Sequence, residues 1–221
     1  IIHRSSGLPR EAFVAFNCAT VPRDMIDSQL FGYRGGAFTG AAQAFGGVLG
    51  AAHGATLLLD QVGELPLETQ PKLLRFLDSG EIQALGEATP RRVQVRVIAA
   101  TNADLDGMVQ AGRFREDLFY RLNVVRFRLP PLRERREEIG PLVSMFLSKY
   151  SSEFGKHNVA LSEAAREHLL LYSWPGNVRQ LSHELRRLVA LGSSDSVIDV
   201  TDLGSGIRGE YLSTPPASVP G

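Results

Sequence analysis

The chain has a single cysteine, Cys18, so no intrachain disulfide can form and stability has to come from packing. A lone thiol inside an apolar run is most often a small buried hydrophobe, and it fits a reducing cytosol, so a cytoplasmic protein is expected. No apolar run approaches the ~20 residues that span a bilayer, which leaves no reason to expect a membrane partner. Neither sign of charge is in excess, since 24 Lys and Arg face 24 Asp and Glu. A balanced chain has no field that would draw it generally onto nucleic acid. The start, Ile1-Ile2-His3-Arg4, has neither an initiating Met nor the apolar stretch of a signal peptide, and it reads as a chain joined in mid-domain. No internal repeat is visible. A length of 221 residues suffices for one large domain, or for a domain with a small companion.

What is present is an alternation of short apolar runs with longer amphipathic ones. Phe13 to Phe16 ends at Asn17, Ala55 to Leu59 ends at Asp60, Val93 to Ala100 ends at Thr101-Asn102, and Val124 to Leu129 ends at Pro130-Pro131. Each reads as a strand, and strands buried on both faces of a parallel sheet look like this. Between them lie helical patterns such as Thr69 to Leu77, with Leu73, Leu74 and Leu77 on one side. Strands separated by helices predict an α/β fold, a parallel sheet with helices on both faces. After Pro131 the composition changes. Residues 134–154, 162–172 and 177–191 read as helices with no convincing strand between them, and Asn177 with Gln180 forms a capping-box pattern after the Pro175-Gly176 break. The organisation expected is an α/β subdomain over 1–132, a small all-helical subdomain over 133–203, and a Gly/Ser/Pro-rich linker over 204–221.

Three of the runs end in polar groups: Asn17, Asp60-Gln61 and Thr101-Asn102. In a parallel α/β sheet, ligands bind in the crevice beyond the carboxyl ends of the strands. A single polar strand end is more often a turn or a cap, but three on one edge favour a site. An apolar strand closed by Asp60 has Walker B character, a carboxylate delivered to a Mg²⁺–nucleotide complex. Separately, Gly35 to Ala41 ("GGAFTGA") places Phe38 and Thr39 between glycines. Such a segment is either a mobile loop with an apolar tip or a tight turn that folds Phe38 into the core.

At this point a resemblance becomes specific. "GGAFTGA", "GATLLLDQVGELP", "VRVIAATN", "FREDLFYRLNV", "LPPLRERREEI" and "WPGNVRQL" stand in the order and spacing of the central AAA+ domain of bacterial enhancer-binding proteins, the ATPases that activate sigma-54 RNA polymerase. The chain resembles that family over residues 1 to 195, and the hexapeptide Gly36 to Ala41 is close to diagnostic of it. The resemblance implies a P-loop NTPase-like sheet with an all-helical lid, ATP and Mg²⁺ as ligands, a self-assembled ring (a hexamer), and sigma-54 RNA polymerase as partner. DNA would be reached only through a helix-turn-helix domain beyond Gly221.

It also implies roles, position by position. Gly36, Ala37, Phe38, Thr39, Gly40 and Ala41 form a loop inserted into a helix that touches sigma-54 in a nucleotide-dependent way, with Phe38 and Thr39 as contacts. Asp60 is the Walker B aspartate that helps hold Mg²⁺. Asn17 is the switch asparagine that bonds to the catalytic acid, and Thr101 with Asn102 is sensor I, near the γ-phosphate. Arg115 and Arg121 match arginine fingers that reach the neighbouring subunit's nucleotide, while Arg179 matches sensor II. For the two fingers the plain alternative is surface pairing with Glu116 or Asp117. Residues 81–92 fit a second insertion, a hairpin packed beside the Gly36–Ala41 loop.

Two departures stand out. No G-x-x-x-x-G-K-[ST] occurs in the 221 residues. In the family this P-loop, with its phosphate cradle, lysine and Mg²⁺-binding hydroxyl, lies just before the position matching Ile1. The family's first strand goes with it, from a place between the strands ending at Asn102 and Leu129. A fragment of a longer chain is therefore expected, rather than a protein that naturally lacks the loop. The second departure is Gln61, where the family has Glu. An amide can hold the attacking water but cannot take its proton. Gln61 reads either as a natural variant slow in hydrolysis or as an introduced substitution that traps the nucleotide. The chain taken alone is expected not to hydrolyse ATP, and a hydrolysis-deficient module that still binds sigma-54 is the alternative function. Asp27 and Gln29 are milder departures at positions that are commonly Glu.

Overall fold

The structure is a computed structural model that describes residues 2–37 and 43–210, with only the backbone described for Glu210. It divides into two compact units, residues 1–126 and 127–221, a few residues ahead of the boundary at 132 that the sequence suggests.

In the first unit, β1 (Phe13–Asn17) leads through a 3₁₀ turn into α1 (Ile26–Phe31), and α2 (Gly47–Ala51) precedes β2 (Thr56–Asp60). Next come α3 (Gln70–Ser79), the short strands β3 (Glu81–Ile82) and β4 (Arg91–Arg92), β5 (Arg96–Ala100), α4 (Leu105–Gln110) and α5 (Glu116–Leu122). The sheet is parallel in the order β1-β2-β5, with Asn17 opposite Asp60 and Asp60 opposite Ala100. Its centre is β2, where Leu57 and Leu59 are fully buried, as an uninterrupted apolar run demands. Helix α3 buries Leu73 and Phe76 against this core and stops at Gly80, whose left-handed backbone (φ 72°) brings its N–H to the Phe76 carbonyl at 2.8 Å. Strands β3 and β4 pair antiparallel, Glu81 with Arg92 and Ile82 with Arg91, so residues 81–92 form the hairpin expected there.

The run 124–129 is not a strand. Val124, Phe127 and Leu129 are 77%, 74% and 85% exposed, and nothing among the described residues pairs with the segment. An apolar run becomes a strand only beside a neighbour that satisfies its N–H and C=O groups, and none is offered here. Among the described residues β5 likewise pairs on one side alone, with β2. A hollow of about 350 Å³ lies nearby, lined by Phe76, Leu77, Val93, Val95 and Val97.

The second unit packs α6 (Ile139–Glu153) against the chain's later helices. Beside it are β6 (Ala160–Leu161), α7 (Glu163–Leu171), α8 (Asn177–Leu191), β7 (Val197–Ile198) and α9 (Ser205–Glu210). Leu181, Leu185 and Leu188 recur at helical spacing along α8 and are buried with Val143, Phe146, Leu147 and Trp174. It is a helical lid-like unit, trimmed only by the two-residue parallel pairing of β6 and β7. The expected linker from Gly204 begins instead with α9, because Leu203 and Ile207 are buried in this core and anchor the turn. Residues 211–221 of that stretch lie outside the described residues.

The capping pattern at α8 also resolves differently. Gly176, not Asn177, is the N-cap, and its N–H donates to Gln180 Oε1 at 2.9 Å. Asn177 stands at a left-handed φ of 51°, and its Oδ1 accepts from the Leu132 amide at 2.7 Å. It therefore ties the entry of this unit to the start of α8.

Candidate functional site

The parallel register brings three predicted strand ends to one edge. Asn17 Nδ2 donates to Asp60 Oδ2 at 3.2 Å, while Asn17 Oδ1 accepts from the Ala19 amide at 2.9 Å, an Asx turn that fixes the asparagine's rotamer. Thr101, one residue past the register partner of Asp60, accepts from the Ala103 amide at 3.1 Å, and Asn102 beside it is exposed. Cys18 is buried under this edge, its N–H bonded to the Asp60 carbonyl at 2.9 Å. Burial first, then the Asp60 carboxylate, push the Cys18 thiol up to about 12, so it stays neutral and serves as packing.

Gln61 follows Asp60 in a left-handed conformation, φ 57° and ψ 46°. For a residue with a Cβ this costs about 1–2 kcal/mol, and strain of that kind concentrates at functional positions. Its carbonyl accepts from the Glu64 amide at 3.0 Å, opening the 3₁₀ turn Val62–Glu64. Nothing in the residue type announces this geometry, so sequence reasoning had no access to it.

One Asp carboxylate suits the outer partner of a Mg²⁺–nucleotide complex. Mg²⁺ keeps several waters and takes one or two carboxylates together with phosphate oxygens. Among the described residues no group of three or more His, Cys, Asp or Glu side chains could hold a metal by itself. The described residues supply no P-loop cradle for the phosphates.

The arginines lie on the edge of α5. Arg115 is its N-cap and pairs with Asp117 through two bonds, Nε to Oδ1 at 3.0 Å and Nη2 to Oδ2 at 2.6 Å. These bonds raise the guanidinium further above its usual value and hold Asp117 below the ordinary carboxylate range. Arg121 donates to the Leu77 carbonyl at 2.7 Å and pairs with Asp78 at 3.1 Å. Both are about half exposed, so these pairs are weak and exchangeable. Arg179 belongs to the second unit, on the first turn of α8, exposed and without an ion pair among the described residues.

Phe38, Thr39, Gly40 and Ala41 lie outside the described residues, but the roots of their loop do not. Tyr33 and Phe45 exchange both backbone bonds, at 2.8 and 2.9 Å, and close the loop at its base. Arg34 and Gly32 join the second hairpin through Leu85, each at 2.9 Å. Beneath this base Gly32 (φ 89°) and Gly47 (φ 72°) lie back to back: a Cβ on Gly47 would sit 2.5 Å from Gly32 N. Arg91, which sequence reasoning passed over, donates from the hairpin to the Gly46 carbonyl at 2.6 Å. Two short helices, α1 and α2, flank the segment whose neck is clasped in this way. Gly47→Ala should cost at least ~1–2 kcal/mol from the left-handed backbone alone, read as a lower urea midpoint of the first unit. An unchanged midpoint contradicts the close approach.

With this geometry in place, the comparisons with known proteins become decisive. Residues 1–128 match the family described as Sigma-54 interaction domain, and residues 133–219 match the AAA+ ATPase lid domain. The chain belongs to the sigma-54 interaction domain family. It is 44% identical over 203 residues to the alginate biosynthesis transcriptional regulatory protein AlgB of Pseudomonas aeruginosa, covering 92% of this chain and 45% of that protein. It is 46% identical over 209 residues to the DNA-binding transcriptional regulator NtrC of Azospirillum brasilense, covering 94% and 42%. Among solved structures, NtrX from Brucella abortus in complex with ATP superposes with a TM-score of 0.82 at 35% identity, over 93% of this chain and 45% of that one. The chain thus spans under half the length of these relatives. As a sigma-54 interaction domain with an AAA+ lid, it has the parallel sheet and helical second unit of that fold. Among the described residues no helix is long and apolar enough to cross a membrane.

Proposed function

We propose that this chain is the ATPase portion of a cytoplasmic sigma-54-dependent transcriptional activator, which assembles into a ring and uses ATP to remodel the closed complex of sigma-54 RNA polymerase. The observation that carries the reading is the alignment of Asn17, Asp60 and Thr101-Asn102 along one sheet edge in a member of this family. Asp60 would hold Mg²⁺ on the nucleotide, which supplies charge neutralisation for the phosphates. Asn17, bonded to Asp60, would report the state of that carboxylate. Thr101 and Asn102 would sense the γ-phosphate, and Arg179 would contact the nucleotide from the second unit. Arg115 and Arg121 would give up Asp117 and Asp78 for the phosphates of a neighbouring subunit, where a guanidinium's fixed fork matches the oxygens. DNA contact is assigned to a separate helix-turn-helix domain. Gln61 favours a second reading: the domain binds its partner but does not turn ATP over, since an amide cannot give general-base help.

Residues 36–41 are assigned to sigma-54, with Phe38 and Thr39 as contacts. The clasped neck between Tyr33 and Phe45 supports this, because it closes off a glycine-hinged segment that is separate in sequence from every strand end. In protein carrying an upstream P-loop segment and loaded with a transition-state nucleotide analogue, Phe38→Ala should lose sigma-54 capture while nucleotide binding stays unchanged. Undiminished capture by the Phe38→Ala protein sinks the contact role.

A further inference from the structure

Gln70 is a fully buried polar side chain at the first position of α3. Its amide is used in both directions. Nε2 donates to the Leu65 carbonyl at 3.0 Å and lies 3.4 Å from the Arg113 carbonyl, while Oε1 accepts from the Arg115 amide at 2.8 Å. A buried amide left half-paired costs about 1–3 kcal/mol, so the two ends are bound to move together or to break at a cost. On one side the bonds continue toward the strand end. Leu65 N–H donates to the Val62 carbonyl at 3.2 Å, and Glu64 N–H donates to the carbonyl of the strained Gln61 at 3.0 Å. On the other side Arg115 is the N-cap of α5, its carbonyl accepting from Phe119 N–H at 3.0 Å, and Arg121 stands on the same short helix. One side chain therefore joins the turn behind Asp60-Gln61 to the start of the helix that carries both arginines.

We propose that Gln70 is a positioning residue that couples the Gln61–Leu65 turn of a subunit's own nucleotide edge to the Arg115 backbone, so that a change at that edge alters how α5 presents Arg115 and Arg121 to a neighbour. The arginines' role toward a neighbour rests on the proposed function; the coupling itself does not. Among the described residues of the first unit, no other side chain hydrogen-bonds to both of these segments. A hydrogen-bonded path alone does not prove coupling, because coupling is a difference between double and single perturbations. Gln70 offers a separable test, since its donor and acceptor face different segments.

The experiment uses the ¹⁵N-labelled chain and needs no nucleotide. Gln61→Gly relaxes the left-handed position and perturbs the turn at its origin. The Arg115 amide resonance should shift in response, and an unmoved Arg115 resonance overturns the proposal whether or not any Gln70 variant folds. Gln70→Glu, recorded at a pH high enough to ionise the buried carboxyl, keeps an oxygen facing Arg115 N–H and removes the donor to Leu65. In that background the Arg115 amide should stay hydrogen-bonded, with slow solvent exchange, yet lose its response to Gln61→Gly. Gln70→Met removes both bonds, and both the slow exchange and the response should go. If the response survives in Gln70→Glu, the signal runs elsewhere and Gln70 is only structural. Failure of subunit mixing to restore ATPase activity, by contrast, would count against the trans role of the arginines and leave this result standing.

Discussion

Replacing Gln61 with glutamate is expected to raise ATP turnover by roughly 10²–10⁴-fold in protein with a G-x-x-x-x-G-K-[ST] segment joined ahead of Ile1, the range for a positioned general base. The residue lies one step beyond Asp60 at the open edge of the sheet, its backbone held left-handed by the 3₁₀ turn that follows. Glutamate has the same length and the same backbone cost, so the exchange changes chemistry and little else. The amide can orient a water through a hydrogen bond, while the carboxylate can also accept its proton. Steady-state phosphate release from Gln61, Gln61→Glu and Gln61→Ala proteins, with nucleotide binding measured in parallel, separates the two contributions. Binding should be alike in all three and turnover high only with Glu. Equal turnover with Gln and Glu means that the proton is taken elsewhere, and the assignment of this position fails.

The three strand ends were legible because burial writes itself into composition. A run such as Ala55 to Leu59, one of several spaced by helical patterns, suits a sheet interior, and the polar residue that closes it then stands at the edge. The hairpin over 81–92 was legible only through the resemblance, since two-residue strands leave no periodicity to read. The run 124–129 shows the limit of pattern. Its apolar residues state a preference for burial, but a strand also needs a partner's edge, and partners are not encoded locally. Gln70 was invisible for a different reason. A glutamine near the start of an amphipathic helix is ordinarily solvent-facing, and only the tertiary placement of Leu65 and Arg115 on either side turns it into a buried link. Asn177 was read as a cap, but its side chain serves Leu132 instead, 45 residues away. At Gln61 a left-handed backbone overrides what residue type would suggest, whereas Asn177 is of a type that tolerates it.

Arg121→Ala should lower turnover of the Gln61→Glu protein by about 10³–10⁵-fold, the contribution of an arginine finger to phosphoryl transfer. Mixing with a partner-defective protein should restore part of it. The side chain is now held by the Leu77 carbonyl and Asp78, and Arg115 by Asp117, all at the surface of their own unit. Pairs this exposed hold weakly in water, so a phosphate on an adjacent subunit can displace the carboxylates without a large penalty. Charge spreads over the γ-phosphate oxygens as the bond to the leaving group breaks, and that is where a second subunit's guanidinium has most effect. Making the charge a neighbour's property also makes hydrolysis depend on assembly. The decisive test mixes Arg121→Ala protein with protein whose upstream P-loop lysine is replaced. In a mixed ring some interfaces join an intact nucleotide edge to an intact arginine, and phosphate release should rise above the sum of the separate proteins. If Arg121 acted on its own subunit's nucleotide, every subunit would remain incomplete. Mixed oligomers confirmed by native mass spectrometry but still inactive would therefore rule out the assignment across the boundary.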